Sequence, residues 1–357
     1  MAYTTIKKPG DYFNTKLFTG NGSNGHAITG VGFQPDVVWL KNRSSGTAHV
    51  VVDAIRGQNK VLSSNNTEPE ATTLANKDFK SFDSDGFTVD QNNSYGSTNT
   101  NGANIVSWNW KANGTGSANT DGDINSTVSV NQTAGFSIVK YTGTDVAGAT
   151  VGHGLNAVPK MIILKRLVGS GYDWVVYHKD KTAGLYLNSA GYNNDSSSNN
   201  IWFNGAAPTS SVFSIGTDGR IGDATDFIAY CFAEKTGYSK FGKYTATGST
   251  SVTPFIYTGF KPQFVMTKNI TGSDAWTMSD IPRDNAVGGG NGTGSRLRAD
   301  NAAGEDTNTS WASIQKYSNG FSPQGNDHVT NGSGQSYIYM AFGQSIVGSN
   351  NIPATAR

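Results

Sequence analysis

The sequence predicts an all-β protein built as three tandem β-sandwich units with jelly-roll-like layering. Three observations predict it. A proline-led apolar strand occurs three times with the same Pro-to-Lys spacing: Pro35-Asp36-Val37-Val38-Trp39-Leu40-Lys41, Pro159 to Lys165 and Pro262 to Lys268. An apolar strand closes each unit: Ile105-Val106-Ser107-Trp108-Asn109-Trp110, Phe227-Ile228-Ala229-Tyr230-Cys231-Phe232 and Tyr337-Ile338-Tyr339-Met340-Ala341-Phe342. Strand-like runs are short and turn-punctuated, and no long amphipathic helix is visible. Recurrence of this kind marks an internal repeat.

Taken in order, residues 1–12 are polar, with Pro9-Gly10 as a break. Nothing there packs alone, so this N-terminal contact segment either frays or adds to another chain. Unit one spans 13–112 and opens with Lys16-Leu17-Phe18-Thr19-Gly20; the counterparts are Val139-Lys140-Tyr141-Thr142-Gly143 and Gly242-Lys243-Tyr244-Thr245. Its proline-led strand follows. Proline fixes φ and lacks an N–H, which suits a strand's first position, and the β-branched and aromatic residues after it suit a pleated, packed surface. Next comes His49-Val50-Val51-Val52-Asp53, matched by Trp174–His178 and Trp276–Asp280. The turn Ser84-Asp85-Gly86-Phe87 has Ser318-Asn319-Gly320-Phe321 as its partner, and Ser210-Ser211-Val212-Phe213 as a version without the glycine. Asp-Gly and Asn-Gly mark turns because both tolerate positive φ. Residues 113–133 read as a Gly/Ser/Thr/Asn linker, which would leave unit one freer than the others. Units two (134–236) and three (237–344) are joined tightly, and 345–357 is a polar tail.

Hydrophobic residues make 36% of the chain and charged residues 15%, both below ordinary usage, and glycine (44 residues), Asn, Ser and Thr fill the difference. Aromatics at 11% recur at fixed places, which argues against disorder. A net charge of +1 gives no electrostatic case for nucleic acid or an anionic membrane. The lone cysteine, Cys231, excludes an intrachain disulfide and a cysteine zinc site; it reads as a small apolar side chain. No signal-type apolar stretch or bilayer-length run occurs, so synthesis in the cytoplasm without a signal peptide and no membrane insertion are expected.

Several groups could carry chemistry. Asp53 with Arg56 and Asp280 with Arg283 share an offset, either as turn braces or as a ligand site. Asp83 and Asp85 are weak metal candidates beside a turn, matching no complete calcium loop. Glu68 and Glu70, with Glu305 at a similar place in unit three, could serve as the two carboxylates of a glycosidase only if a cleft holds them about 5–10 Å apart. The five histidines show no ligand spacing, and no nucleophile elbow or phosphate loop is present, so a non-enzymatic protein without a cofactor is expected. Trp108 and Trp110 share a strand face, and Trp110 matches Phe232 and Phe342, which argues for core. Trp202, Asn204 and Trp311 lie among amides and hydroxyls, the chemistry of sugar binding; burial of both tryptophans in unit cores is the competing reading.

The opening Met1-Ala2-Tyr3-Thr4-Thr5-Ile6, the Gly-Phe-x-Pro strands, Phe82-Asp83-Ser84-Asp85-Gly86-Phe87, Gly152-His153-Gly154-Leu155 and Tyr337–Phe342 resemble a repeat domain of structural proteins from marine tailed bacteriophages. Relatives of that kind are tail-fibre-like or lectin-like (concanavalin-like) virion proteins. The resemblance implies a virion surface component, such as a tail fibre that binds host polysaccharide. A capsid decoration, a filament subunit or a glycan-degrading spike are its alternatives. It further implies other virion proteins and copies of the same chain as partners, in a homo-oligomer.

Overall fold

A computed structural model describes residues 4–6, 8–72, 78–91, 95–195, 198–284, 294–307 and 313–345. Unit one holds β1 (Phe13–Thr19), β2 (His26–Thr29), β3 (Val37–Asn42), β4 (Val50–Asp53), β5 (Lys60–Val61), β6 (Ala71–Thr72), β7 (Phe79–Asp83), β8 (Gly86–Val89) and β9 (Asn104–Trp110). Unit two holds β10 (Ser117–Asn119), β11 (Ser126–Asn131), β12 (Phe136–Thr142), β13 (Thr150–Gly152), β14 (Met161–Arg166), β15 (Val175–His178), β16 (Val212–Ser214) and β17 (Asp226–Phe232). Unit three holds β18 (Ser239–Thr245), β19 (Ile256–Tyr257), β20 (Phe260–Asn269), β21 (Thr277–Asp280), β22 (Leu297–Arg298), β23 (Ile314–Tyr317), β24 (Gly320–Pro323) and β25 (Ser336–Ser345). Helix among the described residues is confined to three short 3-10 turns.

Each unit has a main antiparallel sheet with one strand order: β1-β9-β3-β4, then β12-β17-β14-β15, then β18-β25-β20-β21. Lys41, Lys165 and Lys268 sit at one register position, opposite Val106, Ile228 and Ile338 of the closing strands. A minor sheet covers the outer face of each main sheet: β2-β8-β7, β13-β16 and β19-β24-β23.

The inner strands of every main sheet are buried on both faces, which is why they read as continuous apolar runs. In unit one, Val38, Leu40, Val50 and Val52 pack outward on Ile28 and Phe87 of the minor sheet. Val37, Trp39, Val51, Val106, Trp108 and Trp110 face inward, into a core shared with inward residues of the other two sheets. Trp110, Phe232 and Phe342, one from each closing strand, meet there with ring centroids 5.9–6.3 Å apart.

Two sequence expectations are corrected. The 113–133 linker supplies β10 and β11, which extend unit two's sheet in the order β10-β11-β12. Its Ser/Thr/Asn composition hid a strand with Val128 turned into the core. Unit one is therefore not free, since its inner face lies in the shared core. Part of the leader also packs on its own chain, against the expectation that nothing there does: Ile6 is 1% exposed in that core and Pro9 is buried. An isolated Ile among polar residues gives no periodic signal.

The units lock in a cycle. Trp174 Nε1 donates to Ser63 O of unit one (2.9 Å), and Trp276 Nε1 donates to Tyr186 O of unit two (2.9 Å). At the matching position of unit one stands His49, whose Nε2 contacts Arg298 O of unit three at 2.9 Å. Trp39 Nε1 donates to His49 Nδ1 (2.8 Å), so the proton must sit on Nε2 and His49 must be neutral. A second cycle joins Tyr230 OH to Asp53 (2.8 Å), His178 Nε2 to Tyr339 O (3.2 Å) and Trp108 Nε1 to Asp280 (2.9 Å). Asp53 pairs with Arg56, and Asp280 pairs with Arg283 at 2.6 Å, all four side chains almost wholly buried. These offset pairs are braces of the seams.

Removing one partner of such a pair strands a buried charge. Asp280→Ala takes the 2.6 Å partner from Arg283, which keeps Glu305 at 3.1 Å, and the acceptor from Trp108 Nε1, and is expected to cost about 3 kcal/mol, the low end for a broken buried pair, read as a lowered urea midpoint at constant slope. A loss below about 1 kcal/mol, the range of surface pairs, would refute the bracing role.

Acid should loosen the seams. Burial, then the charge of Lys41, pushes the His49 imidazole down to about 3, and burial takes His178 down to about 4. An unfolded histidine titrates near ~6.5, so below that pH the unfolded chain binds protons that the folded chain refuses. The contribution is complete above pH ~6.5 and falls with acid by about 1.4 kcal/mol per pH unit for each group. His49→Gln keeps a donor for Arg298 O and should flatten the fall between pH 6 and 4 by one group's worth. An unchanged slope in urea titrations at several pH values would count against this assignment.

Candidate functional site

The chain turns sharply at Gly96 and Ser97, both with positive φ (65° and 49°). A Cβ on Gly96 would lie 2.5 Å from Val50 Cγ2, so only glycine allows this approach to β4. The turn places Tyr95 beside the segment that follows β5. Between them lies a cleft of about 610 Å³, lined among others by Ser63, Asn66, Glu68, Glu70, Tyr95 and Ser97. That volume is in the range of small-ligand sites.

Two carboxylates, an aromatic ring, an amide and hydroxyls thus line one concavity. Their roles differ. Glu70 is engaged by Lys60 at 3.0 Å and by Arg56 at 3.5 Å, and its N–H donates to Leu167 O of unit two. Glu68 is exposed, and its N–H donates to Asn66 Oδ1 (3.2 Å). Unit two stiffens this wall: Lys165 Nζ donates to Thr67 O (3.0 Å). Burial pushes that ammonium down to about 8, against the pull of Asp173 and Glu68.

Register explains why the cleft exists in unit one. Leu62, Leu185 and Leu297 hold one position beside β4, β15 and β21, so Ser63, Tyr186 and Arg298 are counterparts. In unit two the Tyr186 ring stacks on Trp202, with centroids 5.3 Å apart. In unit three Arg298 approaches Asp306 at 3.6 Å. The small Ser63 leaves room where its counterparts carry large side chains.

The residues first singled out for sugar binding lie elsewhere. Trp202 is 2% exposed in unit two's core, with Nε1 donating to Asp195 O (2.7 Å), so it offers no face to a ligand. Asn204 is half-buried in a 3-10 turn with φ 52°. Trp311 lies outside the described residues. Asp83 accepts from Ser81 (2.8 Å) and Thr88 (2.7 Å), while Asp85 accepts N–H groups of Gly30 (3.0 Å) and Gly32 (2.7 Å), which lower its pKa. Both brace the β7–β8 turn, and no group of three or more metal-ligating side chains occurs among the described residues. Cys231 lies in unit two's core, where burial raises its thiol pKa. Sequence reading missed Tyr95 and Ser63, because the contrast at position 63 becomes visible only through strand register.

The architecture and cleft define an all-β sandwich protein with a polar, aromatic-lined concavity. Residues 8–345 match the family described as Domain of unknown function (DUF7483), and the chain belongs to that family. No curated protein and no solved structure matches it.

Filling the cleft is a direct test of its origin. Ser63→Tyr, the residue of unit two, is expected to keep the fold and to close the cavity, seen as an unchanged far-UV spectrum with slowed proteolysis of the 63–71 segment. Global unfolding of this variant would show that Ser63 is required by the seam to Trp174 rather than permissive of a cleft.

Proposed function

We propose that this protein is a non-enzymatic bacteriophage virion surface protein, an appendage or tail-fibre subunit that binds host cell-surface glycan. The cleft of unit one is the observation that carries this reading. It combines a ring for stacking on sugar C–H faces with an amide and hydroxyls for sugar hydroxyl groups. Shared strand order and register support three tandem copies of one sandwich unit, closed into a rigid scaffold. Such a scaffold suits display on a particle in many copies, next to other virion proteins and to copies of itself. No nucleic-acid or membrane role is proposed.

A glycan-degrading spike is the second reading, favoured by Glu68 and Glu70 lining one cleft. Binding is preferred because Glu70 is already committed to Lys60 and Arg56. Retention of the purified protein on host surface polysaccharide tests the proposal, with Ser63→Tyr as the blocked form. Retention by the wild type and its loss in the variant are expected, with no release of reducing ends. Reducing-end release that disappears in Glu68→Gln would replace binding by hydrolysis; no retention by either protein would leave a purely structural subunit, a capsid decoration or filament.

A further inference from the structure

Unit three's minor sheet turns an aromatic face to solvent. Register places Tyr257 opposite Gly320 and Gly320 opposite Tyr317, and one pair further along Ser322 lies opposite Gln315. Phe255 precedes β19 and, two residues before Tyr257, shares its face. Phe255 is 52% exposed and Tyr257 58%. Ile256 between them is buried against Phe321 and Tyr339 in unit three's core. These rings are held in place. A Cβ on Gly320 would lie 2.7 Å from Phe255 Cζ, so the Phe255 ring occupies the space that this glycine leaves. Its edge meets Tyr317, with centroids 5.7 Å apart and planes at 63°.

Unit one supplies an internal control. The corresponding face of β2-β8-β7 reads Thr29 opposite Gly86 opposite Asp83, then Ala27 opposite Thr88 opposite Ser81. Strand order and pairing are the same; Thr29 stands for Tyr257, Asp83 for Tyr317 and Ala27 for Phe255. In unit two the matching β13 positions, Thr150 and Gly152, are covered by residues 119–124 of the same chain, so unit one is the control. Small and polar residues therefore satisfy the fold at these positions, as expected for the wet face of an antiparallel sheet. Three aromatics on that face of one unit serve something outside the chain.

Size and charge select the partner. Three partly exposed rings present about 300 Å², against roughly 800 Å² per side in a stable protein interface. None of the six positions on this face is charged. Lys316, beside Tyr317, is buried and donates to Asp284 (2.6 Å) and Ser279 (2.7 Å) on the other side. Around the rings lie hydroxyls and amides: Ser322 Oγ donates to Thr253 Oγ1 (2.7 Å), and Gln324 Nε2 donates to Ser322 Oγ (3.0 Å). The geometry points to a stacking site for an uncharged hexopyranose chain, with sugar C–H faces on Phe255, Tyr257 and Tyr317 and sugar hydroxyls on the adjoining amides. This inference rests on the glycan-binding reading for its ligand class but makes no use of the unit-one cleft.

The test transplants unit one's residues. Phe255→Ala, Tyr257→Thr and Tyr317→Asp together install what the sister sheet already carries, and Phe255→Ala alone is the milder variant. Native electrophoresis through gels cast with β-glucan, mannan, galactan or dextran reads binding as retardation. At least one of these should retard the wild type, and the triple variant should bind about tenfold more weakly at an unchanged melting temperature. If the triple variant does not fold, a loss of retardation in the single Phe255→Ala carries the same result. Equal retardation of wild type and variants overturns the site. Retardation lost in Ser63→Tyr but kept in the platform variants also overturns it, while leaving the glycan reading standing on the cleft. No retardation of the wild type by any of the four polymers rejects an uncharged-sugar platform, whatever the outcome with host polysaccharide.

Discussion

Three rings hold the molecule in its arrangement. Trp110, Phe232 and Phe342 occupy one register position in three sheets, and each touches the other two. For this to happen each main sheet must turn its inner face to a common centre. Its outer face must then be covered separately, which is what the minor sheets do. The result is four apolar clusters, one common and one for each unit. A cut between any two units would expose Trp, Phe and Met side chains to water. Burying such side chains is worth about 1.5–3 kcal/mol each, so separation of the units is strongly opposed.

Burial of the sheets leaves polar groups inside, and the chain satisfies many of them across the seams, although the Trp110 indole N–H at the centre has no hydrogen-bond partner among the described residues. The indole N–H groups of Trp174 and Trp276 need acceptors and find carbonyls of the neighbouring unit. His49 does the same in the third seam, but only as a neutral ring, because Trp39 already fills its other nitrogen. Lys41, Lys165 and Lys268, near the ends of their strands, carry buried ammonium groups that donate to backbone carbonyls of nearby loops. Burial pushes all three down to about 8. Orientation is thus set by directional bonds laid over a non-directional apolar centre.

Comparison of the units within one molecule separates what the fold requires from what it permits. Positions such as Phe87, Phe213 and Phe321 carry the same residue at the same register and belong to the cores. Gly86 and Gly320 also agree, because a Cβ at either would lie 2.0 or 2.3 Å from a carbonyl of the opposite strand. The sandwich constrains neither position 63 nor the outer face of the minor sheet. There the units diverge, to Ser, Tyr and Arg at the first, and to aromatic or small polar residues at the second.

The sequence by itself determined the all-β class, the apolar central strands and the turns between them. Those features are local: Pro and Gly punctuate, and a sheet buried on both faces leaves an unbroken apolar run. It also assigned Trp110 to a core, since its counterparts are Phe232 and Phe342. Only tertiary structure decided that these three meet, that residues 113–133 join a sheet and that Ile6 is an anchor. It likewise decided that Trp202 is covered by Tyr186, whereas Phe255 and Tyr257 are open. The physical reason is register. A strand residue faces core or water according to partners far away in the chain, as β19 pairs with β24, and alternation alone does not say which face another layer will cover.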